Sequence, residues 1–196
     1  MQQLWLLVFF AVLTWSVINP HDYPTWALEA APALLALLVM AVTRRSFPLT
    51  PLLYLLVLLH CILLLVGAHY TYAEVPLFDW ISEVLGYRRN NFDKVGHFAQ
   101  GFVPAIAARE ILIRNAVVNG RAWLNVIVVA LCLAISALYE LLEWLAAELM
   151  GSGAEAFLGT QGYVWDTQSD MALALVGAVA ALVLLGRMHD DQLSRL

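Results

Sequence analysis

Three pairs of ionisable residues have spacings that place both members on one helical face: Asp93 with His97 and Asp166 with Asp170, four apart, and Glu140 with Glu143, three apart. All lie in a chain that is 62% apolar and only 13% charged. Carboxylates brought to short range in a low dielectric repel one another and must be neutralised by protons, by basic side chains such as Arg88, Arg89 and Lys94, or by a metal ion. Oxygen ligands with one imidazole suit a divalent ion such as Mg, Mn, Ca or Zn, and carboxylates from several helices of a bundle are a known way to hold one. Asp93, His97, Asp166 and Asp170 are the candidate ligands. Glu140 or Glu143 then serves as general base, activating water against a phosphoryl or acyl group polarised by the ion. Taken singly, the pairs have plainer readings, since Asp93 after Asn90-Asn91 and Asp166 are both suited to cap a helix. Convergence of three pairs favours a site, because an ionisable residue at membrane depth costs at least about 2.5 kcal/mol and so faces a bundle interior, pairs, or does a job.

The elements that must position these pairs follow from hydropathy. The chain has 196 residues, a net charge of -5 and a mean hydropathy of +0.78, whereas soluble domains carry about 25% charged residues. A bilayer is therefore the expected solvent. The ten Lys and Arg form no basic stripe, which excludes nucleic acid as a partner. Cys61 and Cys132 sit in apolar runs far from any C-x-x-C spacing, which excludes a disulfide framework or a thiolate zinc site. Apolar stretches near the 17 to 25 residues needed for a crossing occur at about 3–18, 26–42, 51–67, 93–113, 123–150 and 165–186. The first lacks a basic leader and a small-residue cleavage site and is read as a retained span. The expected architecture is all-α: a single integral membrane domain over 1–196, a polytopic bundle of about six transmembrane helices. Two connections exceed a turn, 68–92 and 151–164; within the first, 75–86 opens near Pro76, ends at Gly86 and has one apolar side, which predicts a short interfacial helix with Trp80 at headgroup depth.

Depth decides whether the pairs can meet. At 1.5 Å per residue the first two pairs lie within about 6 Å of the same membrane face, and Glu140, entering from the opposite face, lies about 25 Å along its helix. All three pairs fall in one leaflet, joined by Glu29 at the start of the second span and by His69, Tyr70, Tyr72 and Glu74 at the end of the third. His69, Tyr72, Gln161 and Gln168 are accordingly the candidate substrate-binding residues, with 151–164 as cover for the pocket. With the N-terminus inside, Arg44, Arg45, Arg109, Arg114, Arg121, Arg187 and Arg195 are cytoplasmic and Arg88, Arg89 and Lys94 outside. The positive-inside rule then places both termini in the cytoplasm and the pairs toward the exterior. Other polar residues have plainer readings: His60 as a core histidine, Arg109 and Glu110 as a snorkelling interfacial pair, and His21, Asp22, His189, Asp190 and Asp191 as solvated ends. Most of the Trp residues read as interfacial anchors.

Four segments form a recognisable pattern: His69-Tyr70-Thr71-Tyr72-Ala73-Glu74-Val75-Pro76, Asn91-Phe92-Asp93-Lys94-Val95-Gly96-His97-Phe98, Tyr139-Glu140-Leu141-Leu142-Glu143-Trp144, and the run from Gly159 to Met171 that contains Trp165-Asp166-Thr167-Gln168-Ser169-Asp170. Over nearly its whole length the chain resembles the YjdF-type inner-membrane protein family, which implies an inner-membrane location and brings no reaction with it. More distantly, Asp93, Lys94, His97 and Phe98 with a helical Glu and an Asp-rich final span are similar to VanZ-like proteins, some of them associated with glycopeptide antibiotic tolerance.

Three functions compete on these residues. A metal-dependent hydrolase or phosphotransferase acting on a lipid-linked or envelope substrate uses every pair. An ion- or proton-coupled carrier needs a polar path to the other face, for which only His60, Arg109 and Glu110 are available, and no internal repeat supports it. A non-catalytic envelope or antibiotic-tolerance factor would use the polar cluster only to glue helices, at a measured gain averaging about 0.6 kcal/mol per interaction. Membrane lipids are the expected surroundings.

Overall fold

Lipid offers the backbone no hydrogen-bonding partner, so a chain of this hydropathy must satisfy its peptide groups within helices. A computed structural model describes residues 2–150 and 160–196, and its regular structure is helical throughout the described residues. The helices are α1 (Gln2–Val17), α2 (Tyr23–Thr43), α3 (Pro51–Tyr70), α4 (Pro76–Leu85), α5 (Phe92–Arg114), α6 (Arg121–Met150) and α7 (Asp166–Leu193). Local chemistry sets several starts. Pro24 and Pro51 stand in the first turns of α2 and α3, where a missing N–H costs nothing. Asp22 accepts from Thr25 N at 2.8 Å to cap α2, a bond that holds its carboxyl below the usual carboxylate range. Gly86, at φ 69°, closes α4 in the left-handed conformation that a side chain resists.

Four helices have the length and hydropathy to cross a membrane: α2, α3, α6 and α7. The sequence predicts about six spans, and the two that fall short do so for identifiable reasons. α1 has 16 residues, about 24 Å at 1.5 Å per residue. α5 is 23 residues long but carries Asp93, Lys94, Arg109, Glu110 and Arg114, because it lies at the centre of the bundle and meets protein rather than lipid on much of its surface.

α3 joins two groups of helices. On one side Phe9, Ala30, Ala33, Cys61, Leu65 and Ala68 close α1 and α2 on it. On the other, Leu53, Ala105, Ile106, Val128, Cys132 and Ala178 close α5, α6 and α7. The most extensive packing is between α5 and α7, which run parallel. A Cβ on Gly101 would stand 1.8 Å from the Ala174 carbonyl oxygen, and one on Gly177 2.1 Å from that of Phe98. Two glycines thus let the backbones touch, as small residues do in membrane helix pairs.

The end of the bundle remote from the three pairs departs from the sequence expectation. Arg109 and Glu110 are not a snorkelling pair, and His189 is not a solvated end, while Asp190 stays half-exposed but pairs with Arg109. Glu110 and His189 are 0% exposed, with His189 Nε2 3.0 Å from Glu110 Oε2 and Arg109 Nη1 2.9 Å from His189 Nδ1. A guanidinium only donates, so Nδ1 accepts and the Nε2–H donates to Glu110. Glu110 also accepts from the Thr50 hydroxyl at 2.7 Å and from Arg114 at 2.9 Å, and Arg109 pairs with Asp190. The network ties the start of α3 to the ends of α5 and α7. The reason sequence missed it is that α7 continues to Leu193, about six turns beyond Asp170, so His189 on its inner face is still inside the bundle.

Candidate functional site

The parallel contact of α5 and α7 brings their first turns together. Neither Asp93 nor Asp166 caps its helix: Asn91 and Trp165 precede the two helices and no side-chain cap bond is made there. Their carboxylates are therefore available to other groups. Lys94 Nζ lies 2.6 Å from Asp170 Oδ1, 2.7 Å from Asp166 Oδ1 and 2.7 Å from Ser169 Oγ. Arg89 Nη1 reaches the same Asp166 oxygen at 2.7 Å, and Arg89 Nη2 lies 3.5 Å from Asp93 Oδ2. The ring of Tyr163 faces both cations, 5.7 Å from each. Asp166 is thus the shared partner of two cations.

His97 sits one turn deeper. Its Nε2 is 3.1 Å from Asp93 Oδ1 and 4.0 Å from Asp170 Oδ2, while its Nδ1 is 3.1 Å from Gln100 Oε1 and 3.8 Å from Glu140 Oε1. The Gln100 carbonyl accepts from Nδ1–H, which turns Nε2 toward the two aspartates. Asp93, His97 and Asp170 each offer a ligand atom, and all three atoms lie within 4.8 Å of one another. Asp166 stands outside that group. Of the two glutamates, Glu140 stands beside His97 and Glu143 lines the cavity next to it.

That cavity, about 310 Å³, lies between α2, α3, α5 and α6. Its site end is lined by Glu29, Tyr72, Asp93, His97, Tyr139 and Glu143, and its far end by Ala36, Val57, Val103, Pro104 and Ala107, with Gln100 and His60 between. From Asp93 to Ala107 is 14 residues of α5, or about 21 Å. Tyr72 is wedged between α3 and α5, where a Cβ on Gly67 or Gly96 would come within 2.3 or 2.8 Å of its ring. Glu29 is 2% exposed and neither carboxylate oxygen has a hydrogen-bond partner.

The candidate substrate residues separate. Tyr72 is in the cavity wall. His69 faces α1, its Nδ1 3.1 Å from the Ser16 carbonyl oxygen and its ring 4.4 Å from that of Trp15. Gln161 clasps the backbone of Asn90, accepting from its N–H and donating to its carbonyl at 2.9 Å each, and so fixes the segment that carries Arg89. Gln168 is exposed on α7. The cover expected from 151–164 lies, over 151–159, outside the described residues. His60, expected as a core histidine, lines the cavity. Glu29 received no role from the sequence beyond its level in the membrane; its signal was an acid one turn into an otherwise apolar helix.

Residues 1–191 match the family described as "Predicted membrane protein (DUF2238)". The chain is 50% identical over 189 residues to "Inner membrane protein YjdF" of Escherichia coli (strain K12), covering 96% of this chain and 90% of that protein. No solved structure matches. The more distant VanZ-like likeness has no support in these matches. The chain belongs to the DUF2238 family, and it is a multi-pass protein of the inner membrane.

Proposed function

We propose that the protein is a divalent-metal-dependent hydrolase or phosphotransferase acting on a lipid-linked or envelope substrate. The observation that carries the reading is the grouping of Asp93, His97 and Asp170 at the polar end of a membrane-level cavity. Six carboxylates gather there, those of Glu29, Asp93, Glu140, Glu143, Asp166 and Asp170, against Lys94, Arg89 and one imidazole, and a divalent ion is the neutraliser whose ligand chemistry they match. Orientation of His97 by Gln100 is the outer-shell support a ligating imidazole uses. Asp93, His97 and Asp170 would hold the ion, which polarises an acyl or phosphoryl oxygen when bound. Glu143, on the cavity side, takes a proton from water as the oxygen attacks and returns it to the departing alkoxide. Glu140 stands beside His97, and Asp166 shares Lys94 with Asp170 and holds Arg89. A carrier has less support, since the far end of the cavity is apolar and the polar network beyond it is closed by ion pairs.

The purified protein is expected to retain a stoichiometric divalent ion by inductively coupled plasma mass spectrometry. Asp170→Asn and His97→Ala are expected to lose it while remaining inserted and folded. Metal content unchanged in both variants would overturn the reading.

The site is proposed to face outward with both termini cytoplasmic, because Arg44, Arg45, Arg114, Arg121, Arg187 and Arg195 all belong to the opposite end. A green fluorescent reporter after Leu196 should fluoresce, and a periplasm-dependent phosphatase at the same point should be inactive. The reverse pattern would reject the orientation.

A further inference from the structure

We infer that the cavity binds a single-chain amphiphile whose polar head carries no negative charge. The wall changes character along its depth, from carboxyl, imidazole and phenol groups at one end to aliphatic side chains at the other. Its reach of about 21 Å exceeds half the roughly 30 Å hydrocarbon core, in a volume of about 310 Å³. Length without breadth suits one acyl or prenyl chain, not a pair. Access is lateral: α2 packs on α3 and α6 packs on α5 and α7, but α2 and α6 share no extensive packing, so the cavity faces lipid between them.

The head is selected by charge. Glu29, Asp93 and Glu143 line the polar end, and no lysine or arginine does among the described residues; segment 151–159 contains none either. Lys94 and Arg89 are engaged by Asp166, Asp170 and Asp93 and do not line the cavity. A phosphate monoester or pyrophosphate entering there would find no lysine or arginine in the wall to pair with, whereas the carboxyl groups can accept from a hydroxyl or amine. The buried Glu29 carboxyl, without a partner at either oxygen, is a ready acceptor for a hydroxyl or amine. Neutral glycerides, long-chain alcohols and long-chain amines have the required form. The inference rests on the proposed hydrolase for the ligand's fate, where it favours ester cleavage over phosphoryl transfer, but not for its binding.

The test compares two probes with the same chain, monooleoylglycerol and oleoyl lysophosphatidate, on the full-length protein in nanodiscs. Wild type is expected to retain the glyceride at least about tenfold better. Ala36→Trp and Ala107→Leu, which fill the apolar end, should each weaken that binding by about tenfold or more, whereas Leu55→Trp on the lipid-facing side of α3 should not. Glu29→Gln with Glu143→Gln should erase the preference between heads. Chelation with EDTA should leave glyceride binding in place, so loss of metal and loss of this inference are read separately. Equal retention of both probes by wild type, or retention indifferent to both filling variants, would overturn it.

Discussion

At the residue scale the decisive group is Lys94. Its ammonium is 2.6 Å from one oxygen of Asp170 and 3.7 Å from Asp93 Oδ2, so it competes for the same carboxylates that a metal ion would use. Two like charges about 4 Å apart interact by about 4 kcal/mol at an effective dielectric of 20, ample to weaken a nearby cation site. Lys94→Gln is therefore expected to tighten Mn binding by about tenfold or more, read by isothermal titration calorimetry, in contrast to the loss expected of Asp170→Asn. Weaker binding in Lys94→Gln would mean that the ammonium organises the aspartates more than it opposes the ion. The pairs themselves were legible, because a charge in an apolar run is conspicuous and the i, i+4 spacing fixes a shared face. Their division of labour was not. Asp166 and Asp170 look alike in sequence, and only the reach of Arg89 and Lys94 onto the first separates them.

At the element scale, the site depends on how closely α5 and α7 approach. Gly101 and Gly177 place backbone against backbone, and the helices then carry Asp93, His97 and Asp170 into one group. Gly101→Leu is expected to push the helices apart, because no side chain shift can make room beside the Ala174 carbonyl. Its metal content should fall to background while the protein still inserts. Full metal content in Gly101→Leu would show that the ligand group does not need this contact. The spans, the α4 helix and its Gly86 stop could be read from hydropathy and punctuation, whereas the pairing of α5 with α7 could not. A glycine in a helix marks a close approach without naming the partner, and an apolar run over 93–113 does not say which helix covers its polar residues.

At the scale of the whole molecule, polar side chains are concentrated at the two ends and do different work there. At the far end Glu110, His189, Arg109, Thr50 and Asp190 satisfy one another, which is the pattern of a lock on three helices. At the site end Glu29 is left without a partner and a cavity opens beside it, which is the pattern of a place for something else. Sequence located the second cluster and missed the first. Residues near a chain terminus read as solvated until the length of the last helix is known, and burial of Glu110 follows from α3 and α7 folding over it, a tertiary fact that no local pattern carries.

Whether a divalent ion sits on two aspartates and one imidazole is read by pulsed electron paramagnetic resonance of the Mn-loaded protein. A nitrogen coupling from one directly bound histidine is expected in the wild type and is expected to be absent in His97→Gln. A spectrum of hydrated Mn without that coupling in the wild type, or the same coupling in both proteins, would contradict it.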